Sequence, residues 1–252
     1  MAPERTRTPS DATDRLQAEL SQARARLVEE LKTTAELRED LRQMELRALQ
    51  SQVSPHFLFN TLATIAAQST LESAPRTTRL TLALSRLLRY NLRRIRDTVT
   101  LREELASVRD YLLIQEARLE GRLRVDVSVP QDLQETRVPV LSVQPLVENA
   151  ILHGLETVDD GWLRLSARRV RGDVEIEVAD NGQGIGPERL RQVLEQQDAG
   201  TGASHTTGLG LYSVHKRVQY FFGPEYGLSL DSRPGRGTRA VIRLPFAPSP
   251  GG

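Results

Sequence analysis

The hydrophobic period of this chain changes once, after Gly121, and that change limits what it can fold into. Before it, apolar residues recur at steps of three and four, the spacing of one helix face. After it they alternate with polar residues, as a strand half-buried against a core requires. The pattern predicts a helical first part followed by an α/β second part.

Residues 1–11 are polar and proline-bearing, which predicts a disordered tail. From about 12 to 50 there is no Gly or Pro, and leucines recur at Leu16, Leu20, Leu27, Leu31, Leu37, Leu41 and Leu49. These steps fit a heptad seam with one irregularity between Leu31 and Leu37. Two readings fit: a parallel dimeric coiled-coil stem, or a charged surface helix folded back on the body. A solitary helix would leave its apolar stripe in water, which favours the coiled coil. Residues 51–70 continue as helix broken at Pro55, and helix resumes over 77–95 with Leu80, Leu84, Leu87 and Leu88 on its apolar side. Thr100 and Glu103 are spaced as a capping box, opening a helix that runs to about Leu119.

Beyond Gly121, alternation marks strands around Val125–Val129, Leu163–Ala167, Val174–Val178, Leu228–Leu230 and Ala240–Leu244. Helical stretches near 141–153, 187–197 and 209–222 fall between them. This predicts helices on one face of a mostly antiparallel sheet. The domain boundaries expected are a tail over 1–11, a stem over 12–50, a helical hairpin over 51–120 and an α/β domain over 121–248.

Composition removes several classes of function. There is no cysteine, so disulfides, zinc-thiolate sites and cysteine nucleophiles are excluded. Net charge is +1, and residues 1–50 balance nine basic against ten acidic side chains, which is no basic arm for nucleic acid. No apolar run approaches the ~20 residues of a membrane span, and the start lacks the apolar stretch of a signal peptide. The expectation is a soluble cytoplasmic chain whose input arrives through a separate sensor protein.

The segments that carry chemistry are four, with a weaker fifth. In QVSPHFLFN, residues 52–60, helical spacing puts Gln52, His56, Asn60 and Thr64 on one stripe bordered by Phe57, Leu58, Phe59 and Leu62. An imidazole so placed, beside a proline that loosens its turn, suits a nucleophile. In LSVQPLVENAILHG, residues 141–154, Glu148, Asn149 and His153 interrupt an apolar helix, a costly arrangement without a ligand. Asn149 offers Mg²⁺ a hard oxygen, His153 reaches phosphate, and Glu148 orients water or the attacking group.

In VADNGQGIG, Asp180 ends a strand before Gly182, Gly184 and Gly186, where backbone can approach a flat ring and the carboxylate can accept an exocyclic amine. In TGLGLYSVHKR, Gly208 and Gly210 open a helix with its amides free for an anion, behind a polar lid-like stretch over 196–206. Lys216 and Arg217 either touch phosphate or lie on a solvated face. Thr238, after Gly235 and Gly237, is the weaker candidate for the adenine pocket.

With these segments in order, the chain from Gln52 to Pro245 resembles the LytS-type branch of bacterial sensor histidine kinases. QVSPHFLFNTL and VQPLVENAILHG carry the specific resemblance; DNGQG and TGLGL are shared across the gyrase, chaperone, kinase and MutL (GHKL) ATPases. The resemblance implies a Bergerat-type α/β sandwich that binds ATP with Mg²⁺, and a hairpin that dimerises as a four-helix bundle. It implies His56 as phosphoacceptor, Asn149 as Mg²⁺ ligand, Asp180 as adenine reader, and Gly182, Gly184, Gly208 and Gly210 shaping pocket and lid. It implies a homodimer whose partner is the receiver domain of a response regulator, often one with a LytTR DNA-binding domain.

Two departures matter. Ser54 stands where the family usually has Asn. Phe57 stands where more familiar histidine kinases place a carboxylate, so the base must lie elsewhere; Glu148 is the candidate, since Asn60 orients the imidazole but cannot take its proton. The rival readings are an ATPase of the same superfamily without a phosphoprotein, an anti-sigma-type serine kinase, and a dimeric scaffold with a silent nucleotide site.

Overall fold

A computed structural model describes residues 54–93, 97–119, 121–156, 158–195 and 207–246. The expected tail, stem and lid over 196–206 lie outside these residues. The chain separates into two compact units, 1–61 and 62–252, taken in turn. Among the described residues no helix is long and apolar enough to cross a membrane.

In the first unit the described residues begin helix α1, Pro55–Leu71. Ser54 is outside the helix and caps it: its Oγ accepts the Phe57 N–H at 3.4 Å and its carbonyl accepts the Leu58 N–H at 3.1 Å. Residues 51–53 of the helix expected from 51 lie outside the described residues, and Pro55 is the first residue of α1. There its missing N–H costs nothing and its fixed φ is already helical. Ser and Asn are both good N-caps, so Ser54 fills the role an Asn at this position would.

In the second unit, helix α2 spans Pro75–Asn91, also opened by proline, and buries Ala83, Leu87 and Tyr90 at steps of four and three. Helix α3 spans Leu101–Leu119, and the expected capping box starts it: the Thr100 N–H donates to Glu103 Oε2 at 3.0 Å and the Glu103 N–H to Thr100 Oγ1 at 3.3 Å. Arg86 of α2 pairs with Asp110 of α3, and Arg93, two residues past α2, pairs with Glu103. The buried side of α3, with Leu101, Leu105, Val108 and Leu112, belongs to the same core as the sheet. Helix α3 thus keeps its place beside α2 in the expected hairpin while its buried side joins the core of the α/β body.

The sheet holds strands β2 (Leu123–Ser128), β4 (Gly161–Val170), β5 (Asp173–Asp180), β6 (Gly227–Ser232) and β7 (Thr238–Pro245) in the order β2-β4-β5-β7-β6. Only β2 and β4 pair in parallel. One face carries Leu163, Leu165, Ile176, Val178, Ile242 and Leu244, all buried. The other carries the pairs Arg168–Glu175, Arg239–Glu177 and Arg243–Asp173. One apolar face and one charged face make a two-layer sandwich with helices on one side. Two three-residue strands, β1 (Thr98–Thr100) and β3 (Arg137–Pro139), form a second, small antiparallel sheet too short to show alternation.

The helix expected over 141–153 begins later, because Leu141 takes a left-handed φ of 58° and makes the preceding turn. Helix α4 runs Gln144–Asn149 and widens into a π-helix over Ala150–Leu155. Helices α5 (Pro187–Glu195) and α6 (Thr207–Phe222) complete the helical layer.

Candidate functional site

A cavity of about 410 Å³ opens between α4 with its π-turn, the Gly-rich turn after β5, and α6. Leu146, Ala150, Val178, Leu211, Leu230 and Ala240 make it apolar, and Asn149, His153, Asp180, Gln183, Arg189 and Thr238 give it polar groups. The strand period positions Asp180: Val174, Ile176, Val178 and Asp180 alternate onto the core face, so the last of them presents a carboxylate there. It is 6% exposed.

Its Oδ1 accepts the Gly182 N–H at 2.8 Å and the Thr238 N–H at 3.2 Å. Among the described residues no hydrogen bond reaches Oδ2. Burial pushes the carboxyl above its ordinary range, and the two N–H bonds partly oppose that by favouring the ionised form. A buried acceptor with one oxygen to spare, at the wall of an apolar cavity, suits a flat ring bearing an amine donor.

The glycines allow the chain to close around this carboxylate. A Cβ on Gly182 would sit 2.3 Å from the Gly154 carbonyl oxygen, and one on Gly154 would sit 3.0 Å from Asp180 Oδ1. The Gln183 N–H donates to that Gly154 carbonyl at 3.0 Å, joining the glycine turn to the π-helix. Gly184 has φ 69°, and a Cβ there would meet the Arg233 carbonyl oxygen at 2.0 Å. Gly210 lies 3.8 Å, measured from an added Cβ, from the Asn149 amide nitrogen. Gly208 falls in the first turn of α6.

Asn149 donates its amide N–H to the Pro145 carbonyl at 2.7 Å, which leaves Oδ1 as the group offered outward. Among the described residues no three His, Cys, Asp or Glu side chains cluster as a metal site. A Mg²⁺ ion here would take most of its oxygens from phosphate and water, with Asn149 adding one, which suits its preference for hard ligands. Glu148 is placed differently. It does not line the cavity and accepts Gln144 Nε2 at 2.7 Å, while Gln144 Oε1 accepts Ser107 Oγ of α3 at 2.7 Å. Lys216 is exposed, and Arg217 binds backbone carbonyls rather than lining the cavity.

His56 is exposed on α1. The Asn60 amide nitrogen stands 3.3 Å from its Nδ1 and 3.4 Å from its Nε2. Gln52, expected on the same stripe, lies outside the described residues. Sequence reasoning missed Gly154, Gln183 and Arg189. Gly154 ended a quoted segment, but its need for glycine comes from a strand end distant in sequence, and Arg189 is one arginine among many.

Residues 44–123 match the family described as Histidine kinase, and residues 135–248 match the family described as Histidine kinase-, DNA gyrase B-, and HSP90-like ATPase. Sensor histidine kinase BtsS of Escherichia coli strain K12 is 37% identical over 207 residues, 82% of this chain and 34% of the relative. Sensor histidine kinase YesM of Bacillus subtilis strain 168 is 35% identical over 206 residues, 81% of this chain and 34% of the relative. Sensor histidine kinase YpdA of Escherichia coli strain K12 is 36% identical over 197 residues, 77% of this chain and 33% of the relative. The chain thus spans about a third of the length of these curated relatives.

Proposed function

From the premise that this chain belongs to the histidine kinase family, we propose that it is a LytS-type sensor kinase which phosphorylates its own His56 from Mg-ATP. Its sandwich is the Bergerat-type fold of the ATPases matched over 135–248. The observation that carries the reading is the Asp180 carboxylate, buried at the cavity wall with Oδ2 to spare, which would accept the adenine amine. Gly182 and Gly184 shape the pocket, Thr238 completes it, and Gly208 and Gly210 begin the helix under the lid. His153 and Arg189 face the phosphates, and Asn149 holds Mg²⁺, which when bound neutralises phosphate charge.

In the reaction a lone pair on a His56 ring nitrogen attacks the γ-phosphorus. An N–P bond forms, the bond to the bridging oxygen breaks, ADP leaves, and the ring proton passes to a base. Such transfer asks the protein for alignment and charge stabilisation rather than covalent chemistry; alignment alone contributes ~7–11 kcal/mol of the barrier in well-oriented systems. Asn60 positions the nucleophile. With its amide turned so that Oδ1 accepts one ring N–H, the other ring nitrogen keeps its lone pair. Glu148, engaged by Gln144, steadies α4 in this scheme and remains the carboxylate available as a base. The phosphoryl group then passes to an aspartate of a response regulator receiver domain, of LytTR type, in a homodimer joined through the stem and hairpin. A separate sensor protein supplies the input.

Incubation with γ-labelled Mg-ATP tests the whole reading. The protein should gain label that is acid-labile and alkali-stable, and His56→Ala should gain none. Hydrolysis with no labelled protein would favour the plain ATPase, and no nucleotide uptake the silent scaffold.

A further inference from the structure

The cavity helix α4 follows a loop, Val140–Val143, held by a buried carboxyl group on one side and a half-buried guanidinium on the other. Glu104 of α3 is fully buried and gives its carboxylate to this loop. Oε1 accepts the Leu141 N–H at 2.6 Å, and Oε2 accepts the Val143 N–H at 2.8 Å and the Gln144 N–H at 3.3 Å. From the other side Arg217 of α6 donates to the Val140 carbonyl at 2.6 Å and the Leu141 carbonyl at 2.8 Å. The loop's donors thus go to an anion and its acceptors to a cation. Between them Leu141 has φ 58°, a conformation a leucine keeps only where its surroundings impose it. A third element reaches the same carboxylate: the Tyr90 hydroxyl of α2 donates to Glu104 Oε1.

None of these three residues lines the cavity, and a buried carboxylate is costly unless hydrogen-bonded, as Glu104 is by three backbone N–H groups and a hydroxyl. Resting on the nucleotide site proposed above, we propose that Glu104 and Arg217 are paired positioning residues that fix where α4 starts, and so where Asn149 and His153 stand. Tyr90, sharing that carboxylate, registers helix α2 against the helix that carries the nucleotide-facing groups. A shift of α2 is felt at the ATP site through this hydrogen bond as well as through the core that Leu87 and Tyr90 share with α4.

Three readouts on the intact chain decide it. Glu104→Gln keeps the shape but sets an amide donor against backbone donors, and should weaken binding of a fluorescent ATP analogue about tenfold. Tyr90→Phe leaves the loop's own bonds in place. It should hold nucleotide affinity within about twofold while slowing phosphohistidine formation about fivefold, a split that general destabilisation would not give. Arg217→Lys should retain more affinity than Arg217→Met, since an ammonium still offers donors to a carbonyl.

The third readout, amide hydrogen exchange without nucleotide, should show Leu141, Val143 and Gln144 exchanging faster in Glu104→Gln and unchanged in Lys216→Gln. Wild-type affinity and wild-type exchange in Glu104→Gln would overturn the clamp, and an unchanged rate in Tyr90→Phe would overturn the link to α2. If the unaltered protein takes up no nucleotide, the ATP reading falls, and the exchange readout still judges the clamp.

Discussion

Asp180 shows how one residue can be set against the stability of its own fold. Burial raises its carboxyl, so the folded state holds that proton more tightly than the unfolded chain does. The associated stability is present below the ordinary carboxylate range and is lost as pH rises through the raised value. Ionising the group in the folded chain is therefore a cost, which the proposed nucleotide contact would offset. Asp180→Asn keeps an Oδ1 for Gly182 and Thr238 but replaces the spare oxygen with a donor. Its melting temperature at pH 7 should equal or exceed that of the unaltered chain, while ATP affinity falls at least ~tenfold, one misplaced buried polar contact. Calorimetry and titration together check both signs; a variant less stable and still binding would refute the assignment. For the unaltered chain, affinity should decline as pH is lowered toward the raised carboxyl value, and this dependence should vanish in the variant. Asp180 was legible because period-two alternation continues through it. Gly154 was not, because only the fold reveals which backbone crosses it.

At the scale of elements, the cavity depends on a crossing that tolerates no side chain. The Gly-rich turn after β5 lies against the π-helix so closely that a Cβ on Gly182 would overlap the Gly154 peptide. Gly182→Ala should thus cost about 1–3 kcal/mol in urea denaturation, the range for forcing extra volume into packed structure. Gly186→Ala is its control, since an added Cβ there meets nothing within 4 Å. Equal losses in the two would mean the crossing carries no strain.

The capping box makes a second, smaller prediction. Thr100→Ala removes the acceptor for the Glu103 N–H and should cost ~1 kcal/mol. Both the box and the five strands of the main sheet were legible, because each is written in local spacing. What escaped is set by distant partners: the turn at Leu141, held by Glu104 and Arg217, and the membership of α3 in the sheet's core. A helix with one apolar stripe reads the same whether that stripe meets a second helix or a sheet.

At the scale of the molecule, the question is how an input at the N-terminal end would alter His56. Read from sequence, a helix that continues from stem to histidine, though broken at Pro55, would still carry rotation: each added residue turns the rest of the helix by about 100°. Activity would then rise and fall with insertion length. Within the described residues Ser54 stands outside α1 and caps it, and Pro55 is the first residue of α1. Such a start predicts that the helical phase of α1 is independent of what precedes it, since no i-to-i−4 bond can run to the proline nitrogen. Insertions of one, two, three and four alanines between Gln50 and Ser51 should therefore change phosphohistidine yield by less than about twofold, with no periodicity. A yield that oscillates and recovers at a seven-residue insertion would show that helix passes through Ser54 in the working protein. In that event Ser54→Ala, which removes the capping hydroxyl, should strengthen the oscillation; on the capped reading it frays the first turn of α1, lowers the yield equally at every insertion length, and leaves the profile flat.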